Sequence, residues 1–155
     1  MSAMYSAVLL IHSWLRWVVL LAGLVAVFRG MGGWSGARSW TRVDERASFW
    51  FTIALDVQML LGLLLYFALS PFTSAALDDF GAAMKDPGLR YWAVEHVFGM
   101  LIAVTLAHIG RARVGRAAAS RKHRLAAIFF GLALLAILVS IPWPGMPNGR
   151  ELFRF

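Results

Sequence analysis

The sequence predicts an all-α membrane protein, with four transmembrane helices in an up-down-up-down bundle and both termini outside. Of its 155 residues, 60% are hydrophobic and only 15% are charged. A soluble domain is about 45–50% apolar and about 25% charged, and the interior of a chain this short cannot hide so much apolar surface. Leu and Ala dominate long stretches without a two-residue alternation, which favours helices over a transmembrane barrel.

Four stretches of the chain are each long enough to cross a bilayer, which takes about 20 mostly apolar residues in a helix. Pro71 and Pro87 lie between the second and third stretches, and Pro142 and Pro144 follow the fourth, where helices are expected to end. No linker or second domain interrupts the pattern. The predicted spans are about residues 4–28, 48–69, 89–109 and 125–141, within a single domain of residues 1–155.

The positions of the basic residues predict the orientation. Connections 29–47 and 110–124 hold four and six Lys or Arg residues, whereas 70–88 holds only Lys85. The positive-inside rule therefore places the two basic connections in the cytoplasm, and both termini and residues 70–88 outside. We interpret the basic run 121–124, with its His123, as a topology signal; binding of anionic lipid headgroups is the alternative. Because the formal charge of +7 lies in such short runs between apolar stretches, no nucleic-acid partner is expected.

Two histidines inside the predicted spans suggest a cofactor site. His12 lies eight residues below the outer end of the first span, and His96 seven residues below that of the third. Both are therefore roughly 10–12 Å inside the outer boundary. The first and third helices of an up-down bundle face each other diagonally. Two neutral imidazoles facing each other across a bundle core are what bis-histidine ligation of a b-type haem requires.

Small residues at the same level fit this hypothesis. Gly62 on the second helix and Gly99 on the third make room for a flat macrocycle, although glycines also allow bare membrane helices to approach closely. A second haem is not expected, because His108 points about 120° away from the face of His96. We interpret His108 as a cap of the inner helix end.

Arg16 and Asp56 both fall near the middle of the bilayer on adjacent helices. An unpaired charge there is very costly, so we expect a buried Arg16–Asp56 ion pair. Its expected role is to fix the helix register, with a proton relay as the alternative.

The chain has no cysteine, which excludes a disulfide, an iron–sulfur cluster and covalent haem attachment. It also lacks the motifs of soluble hydrolases and nucleotide-binding enzymes, so it is at most an electron-transfer subunit.

Four segments resemble a family of small bacterial four-helix membrane proteins that are labelled cytochrome-b-like. These segments are LIHSWLRW at 10–17, VQMLLGLLLYF at 57–67, LRYWAVEHVFGMLIA at 89–103 and SIPWP at 140–144. The resemblance implies a haem protein of the bacterial cytoplasmic membrane, with His12 and His96 as the family's histidines. The residue matching Asp56 can be a histidine in that family, so this chain lacks one possible ligand.

Three functional hypotheses remain open at this point. The first is an electron-transfer subunit with one haem b, exchanging electrons with quinol or with a larger membrane redox complex. The second is a cofactor-free accessory subunit of a membrane complex. The third is a copper-handling protein that uses His12, His96 and methionines. It ranks last because the methionines do not cluster near the histidines in the sequence.

Overall fold

The computed structural model describes residues 3–36 and 38–153, and these residues form α-helices, two π-helical turns and loops. One π-helical turn, Leu65–Leu69, continues α2, and the other, Tyr91–Glu95, joins α5 to α6. The predicted all-α fold is confirmed. The helices are α1 Ala3–Gly32, α2 Arg42–Leu64, α3 Pro71–Asp78, α4 Phe80–Ala83, α5 Pro87–Arg90, α6 His96–Arg116 and α7 Ala119–Ser140.

Four continuous helical segments are long and apolar enough to cross a membrane: Ala3–Gly32, Arg42–Leu69, Pro87–Arg116 and Ala119–Ser140. They contain the four predicted spans almost completely and mostly extend beyond them. The third predicted span ends at residue 109, for example, whereas α6 continues to Arg116. Arginine is a good helix former, and its long side chain can reach the headgroups.

The outward faces of these segments are suited to lipid. Leu21, Leu60, Phe67 and Val139 are 66–73% exposed. A water-soluble protein rarely leaves so many large apolar side chains on its surface. The apolar helices therefore indicate a multi-pass membrane protein in contact with the bilayer.

The four long helices pack in a ring. α1 contacts α2 and α7, and α6 contacts the same two helices, so α1 and α6 face each other diagonally. Phe51 of α2 and Phe130 of α7 are fully buried and meet edge to face, with ring centroids 5.7 Å apart. Ala103 and Ala107 of α6 are also fully buried. Small residues in such positions let membrane helices approach closely.

Two segments cover the end of the bundle that lies away from the basic connections. The first is the connection α3–α5, where Ala76 and Ala83 are fully buried. The second follows α7 and turns back, so that Arg150 donates its backbone N–H to Pro142 at 3.0 Å. Phe153 then stacks on Trp17 of α1, with centroids 5.4 Å apart.

A buried carboxylate organises the opposite end of the bundle, which carries the basic connections. Asp44, 1% exposed, accepts hydrogen bonds from Arg29 Nε at 2.7 Å and from Arg38 Nη2 at 2.8 Å. It also accepts from the backbone N–H of Thr41 at 2.8 Å, at the start of α2. The hydrogen bond to Asp44 raises the pKa of the Arg38 guanidinium above its usual value. The loop between α1 and α2 is thereby tied to both helices.

His123 packs inside this same end of the bundle. It is 3% exposed, its ring centroid lies 5.0 Å from that of Trp40, and it contacts Gly33. His123 is therefore a packed residue of the bundle, which the sequence did not predict, while the role of the basic run 121–124 as a topology signal stays a prediction. Because α7 begins at Ala119, the basic run is helical, and position 123 falls on the face that packs against Gly33 and Trp40.

We predict that Asp44→Ala destabilises the folded protein by about 3–5 kcal/mol, because it leaves two arginines without their shared buried partner. The loss should appear as a lower midpoint in denaturant titration of the detergent-solubilised protein. Glu45→Gln is the matched control, since Glu45 lies in the same helical turn and its bond to Trp40 is exposed. Equal stability of the two variants would contradict the assignment.

Candidate cofactor site

A cavity lies among the four long helices at the end away from the basic connections. The cavity has a volume of about 130 Å³, and its wall is mostly apolar. Both predicted site histidines line it. The polar side chains of the wall include His12, Ser13, Arg16, Gln58, His96 and Arg150.

His12 of α1 and His96 of α6 face each other across this cavity, as the sequence predicts. Their ring centroids are 6.5 Å apart and the ring planes are inclined by 68°. An imidazole nitrogen binds a metal at about 2 Å and lies about 1.1 Å from its ring centre, so two trans imidazoles have centroids roughly 6.3 Å apart. Each ring can rotate about its metal bond, so this inclination is compatible with shared ligation.

The orientation of His96 follows from how α7 ends. Ile141, which precedes Pro142, is extended, so α7 ends at Ser140. The last carbonyls of a helix have no partner within it, and the carbonyl of Ser140 accepts from Tyr91 Oη at 2.8 Å. His96 Nδ1 lies 2.8 Å from the same oxygen. The Ser140 carbonyl at the end of α7 thus accepts hydrogen bonds from two side chains, those of Tyr91 and His96.

This contact fixes the tautomer of His96. A carbonyl oxygen accepts only, so Nδ1 carries the proton and Nε2 keeps its lone pair. Metal-binding histidines usually donate their other N–H to a backbone carbonyl or carboxylate in this way. The π-helical turn Tyr91–Glu95 directly precedes His96, and such turns change the direction of the side chains that follow.

Two residues of α2, Gly62 and Gln58, lie next to His12. A Cβ atom at Gly62 would lie 3.3 Å from His12 Cε1, so the glycine gives the imidazole its space. Gln58 Nε2 donates to the backbone carbonyl of His12 at 3.0 Å. Among the described residues, His12 Nδ1 and Gln58 Oε1 are buried without a hydrogen-bond partner. Unpaired buried polar atoms on a cavity wall are consistent with a ligand in that cavity.

Sequence reasoning missed Gln58 as a site residue. The available signals are its polar amide inside an apolar span and its position four residues before Gly62, which places both on one helix face.

Gly99 does not flank the histidines, so this part of the predicted site is wrong. A Cβ atom at Gly99 would collide with the Ser140 hydroxyl. The glycine therefore allows α6 and α7 to pack closely, which is the alternative role that the sequence left open.

The predicted ion pair between Arg16 and Asp56 is also wrong. Arg16 Nη2 donates to the backbone carbonyl of Leu152 at 2.7 Å. Asp56 Oδ1 instead lies 2.7 Å from His108 Nε2, so His108 is not a helix cap. Depth along a helix does not determine rotation about its axis. Leu55 lines the cavity, and Asp56 is rotated by about 100° from Leu55 around the axis of α2. The side chain of Asp56 therefore points towards α6 rather than into the cavity.

Two arginines give the cavity a positive character. Among the described residues, neither Arg16 nor Arg150 has a carboxylate partner, and Arg16 Nε is buried without a hydrogen bond. The Arg150 guanidinium lies over the rings of Trp92 and Phe72, 5.0 and 5.2 Å from their centroids. An uncompensated charge inside a membrane is costly, so the cavity favours a ligand with negative groups.

Two methionines line the same cavity, contrary to the expectation from the sequence. They are Met59 of α2 and Met100 of α6. Met100 lies one helical turn after His96, and Met59 one turn before Gly62, so both follow the cavity face of their helices. The thioethers could serve a soft metal ion.

Comparison with known proteins adds no further constraint. No protein-family model, curated protein or solved structure matches this chain. Within residues 3–36 and 38–153, no three His, Asp or Glu side chains are grouped so that they could hold a metal ion. The resemblance to cytochrome-b-like proteins therefore stays a prediction, and the function must be inferred from the cavity.

We predict that Gly99→Ala destabilises the protein by about 1–3 kcal/mol, because the added methyl group overpacks the α6–α7 contact. Gly131→Ala on α7 is the control, since a Cβ atom there meets nothing within 4 Å. That change should be neutral or slightly stabilising. Adding Ser140→Ala to Gly99→Ala should recover part of the loss in denaturant titrations. No difference between the two glycine variants would contradict this packing.

Proposed function

We propose that this chain is a membrane-embedded b-type haem protein of electron transfer, with His12 and His96 as the axial ligands. The observation that carries the proposal is the pair of imidazoles 6.5 Å apart across the bundle, with the Nε2 of His96 left free by its bond to Ser140. Both are neutral donors in a mostly apolar cavity, which is the environment that a b-type haem requires.

The other cavity residues fit the same group. Gly62 leaves space beside the His12 ring, where a larger residue would narrow the cavity. Arg16 and Arg150 lack carboxylate partners among the described residues, and the two propionates of a haem would supply them. A haem held by both His12 and His96 would supply one-electron transfer and would leave no open iron position for oxygen chemistry.

The residues of the chain have separate roles in this proposal. Ser140 holds the tautomer and direction of His96, and Gln58 fixes the backbone at His12. The apolar wall excludes water from the site. By the positive-inside rule the site lies nearer the outer face of the bacterial cytoplasmic membrane. Its electron partner would be quinol or a larger redox complex of the membrane.

A second candidate function is the handling of Cu(I). It is favoured by one observation, that Met59 and Met100 line the cavity together with both histidines. Soft thioethers and imidazoles suit this ion. The two unpaired arginines argue against it, because they disfavour a second cation and favour an anionic ligand. The haem is therefore preferred.

We predict that His12→Ala or His96→Ala abolishes the reduced-state α-band of the purified protein or converts the iron to high spin. The cause is the loss of one of two axial nitrogen ligands. His108→Ala and His123→Ala are the matched controls and should leave the band intact. Absorption spectra of the four detergent-purified variants make the comparison.

A well-folded wild type without Soret absorption, even after haem supplementation, would contradict the haem proposal. Bound copper in that sample, lost in both His12→Ala and His96→Ala, would support the second candidate. If neither group binds, the cofactor-free accessory subunit becomes the preferred function.

We further predict that esterified haem binds more weakly than haem b. Blocking both propionates removes the charge-assisted hydrogen bonds to Arg16 and Arg150, each worth about 1.5–3 kcal/mol, and so lowers the affinity by about a hundredfold or more. In Arg16→Gln/Arg150→Gln the two haems should bind almost equally. Spectral titration of the haem-free protein measures all four affinities. Equal binding of both haems by the wild type would contradict the role of the arginines.

A further inference from the structure

A second polar cluster lies on the outside of the bundle, where α2 meets α6. Asp56 Oδ1 is 2.7 Å from His108 Nε2, and the two side chains are 34% and 50% exposed. Neither residue lines the histidine cavity. Thr105, one turn before His108, is also exposed and lies on the same side of α6. We refer to Asp56, His108 and Thr105 as the α2–α6 surface, which the proposed haem site does not use.

The depth of Asp56 makes its exposure unusual. It follows the start of α2 at Arg42 by 14 residues and precedes Leu69, where the same helical segment ends, by 13. Asp56 is therefore about 20 Å from either end of the segment, near the middle of the bilayer. Ionisable side chains at this depth almost always face the protein interior or an aqueous cavity. A partly exposed pair at this position indicates that another membrane component covers it.

The pair offers that component one donor and one acceptor. Its own hydrogen bond uses Asp56 Oδ1 and His108 Nε2, and in the described part of the chain Asp56 Oδ2 and His108 Nδ1 make no other. A net charge is costly in hydrocarbon, so the pair is neutral overall, either as imidazolium and carboxylate or as imidazole and carboxylic acid. In both forms Nδ1 carries a proton and Oδ2 accepts. The covering component must therefore present an acceptor to His108 and a separate donor to Asp56.

A second copy of this chain presents those two groups in the required places. Copies of a membrane protein are inserted in one orientation, so a twofold axis between them runs along the membrane normal. Rotation about that axis keeps each residue at its depth and exchanges left and right. The donor His108 of one copy then lies opposite the acceptor Asp56 of the other, and the reverse pairing forms as well. The α2–α6 surface is thus self-complementary, as a twofold interface requires.

The side chains around the pair are apolar and exposed. Val57, next to Asp56, is 44% exposed, and Leu60, one turn further along α2, is 66% exposed. On α6, Leu101 lies two turns before His108 and is 47% exposed. Because lipid tails are as apolar as these side chains, burying them gives little hydrophobic stabilisation. Helices in membranes associate instead through close packing and hydrogen bonds, and the α2–α6 surface provides both.

We propose that two copies of this chain form a twofold-symmetric dimer in the membrane through the α2–α6 surface. His108 Nδ1 of each copy donates to Asp56 Oδ2 of the other, so that four side chains close a ring in which all their polar atoms have partners. In this dimer α2 of each copy lies against α6 of the other. The dimer does not depend on the haem, because neither Asp56 nor His108 lines the cavity.

Förster transfer between chains that carry fluorophores at the N-terminus measures the dimer in lipid vesicles at decreasing protein density. We expect the wild type to dimerise. Asp56→Ala and His108→Ala should each dimerise about tenfold more weakly or worse, because either change removes both hydrogen bonds between like chains. Asp78→Ala, which removes an exposed carboxylate at the end of α3, is the matched control and should dimerise as the wild type does.

A mixture of the two variants separates contacts between chains from contacts within one chain. The mixed pair keeps one hydrogen bond, from His108 of the Asp56→Ala chain to Asp56 of the His108→Ala chain. It should therefore form in preference to either like pair. A pair of residues that only stabilises its own chain gives no such preference.

Cysteine cross-linking in membranes locates the contact without altering the pair, since the chain has no native cysteine. Leu60 lies one turn from Asp56 and Thr105 one turn from His108, both towards the end away from the basic connections. Leu60→Cys of one copy should therefore cross-link to Thr105→Cys of another. Val139→Cys on α7, which is 69% exposed, is the control partner and should not cross-link to Leu60→Cys.

A wild type that stays monomeric in vesicles would overturn the proposal. Equal formation of like and mixed pairs by the two alanine variants would do so too, as would cross-linking of Leu60→Cys to Val139→Cys in place of Thr105→Cys. The cross-linking result stands even if thermal unfolding shows that Asp56→Ala or His108→Ala lowers the stability of the fold.

Discussion

The carbonyl of Ser140 links α7 to α6 and orients His96 at the end of the bundle away from the basic connections. It is free because Ile141, which precedes Pro142, is extended, so α7 ends at Ser140 and its last carbonyls have no partner within the helix. In a membrane such a group has no water to bind and must find a protein donor. Tyr91 and His96 supply two donors, at 2.8 Å each. The end of α7 is thereby joined to the start of α6, and the contact sets the direction in which His96 faces His12.

The buried charge at one end of the bundle is paired with opposite charges, whereas the two arginines of the cavity at the other end lack such partners among the described residues. At the basic end, Asp44 is shared by two arginines and by Thr41, so the buried carboxylate is fully satisfied. In the cavity, Arg16 bonds only a backbone carbonyl, and no carboxylate of the described residues approaches it. The first arrangement is complete without a ligand and stabilises the fold. The second is incomplete, and incomplete polar sites inside membranes are generally functional.

Sequence reasoning predicted the features that depend on composition and on position along a helix. Four apolar stretches were enough to define the bundle, and equal depth on diagonal helices was enough to pair His12 with His96. It failed where rotation about the helix axis decides the contact. Asp56 and Arg16 share a level but point to different neighbours, and Gly99 faces α7 rather than the cavity.

Other contacts could not be predicted from the sequence because they involve segments without a helical periodicity of apolar residues. The chain after α7 folds back so that the Leu152 carbonyl accepts a hydrogen bond from Arg16, and Trp40 packs against His123. Neither contact has a helical pattern that would signal it. The π-helical turn before His96 shifts its direction by an amount that a regular 100° step cannot give.

Electron paramagnetic resonance of the oxidised, purified protein tests the central claim most directly. If His12 and His96 bind one iron from opposite sides, the spectrum shows a low-spin ferric signal typical of two imidazole ligands, with one iron per chain. A high-spin ferric signal, or a folded protein that holds no iron after haem supplementation, would contradict the account.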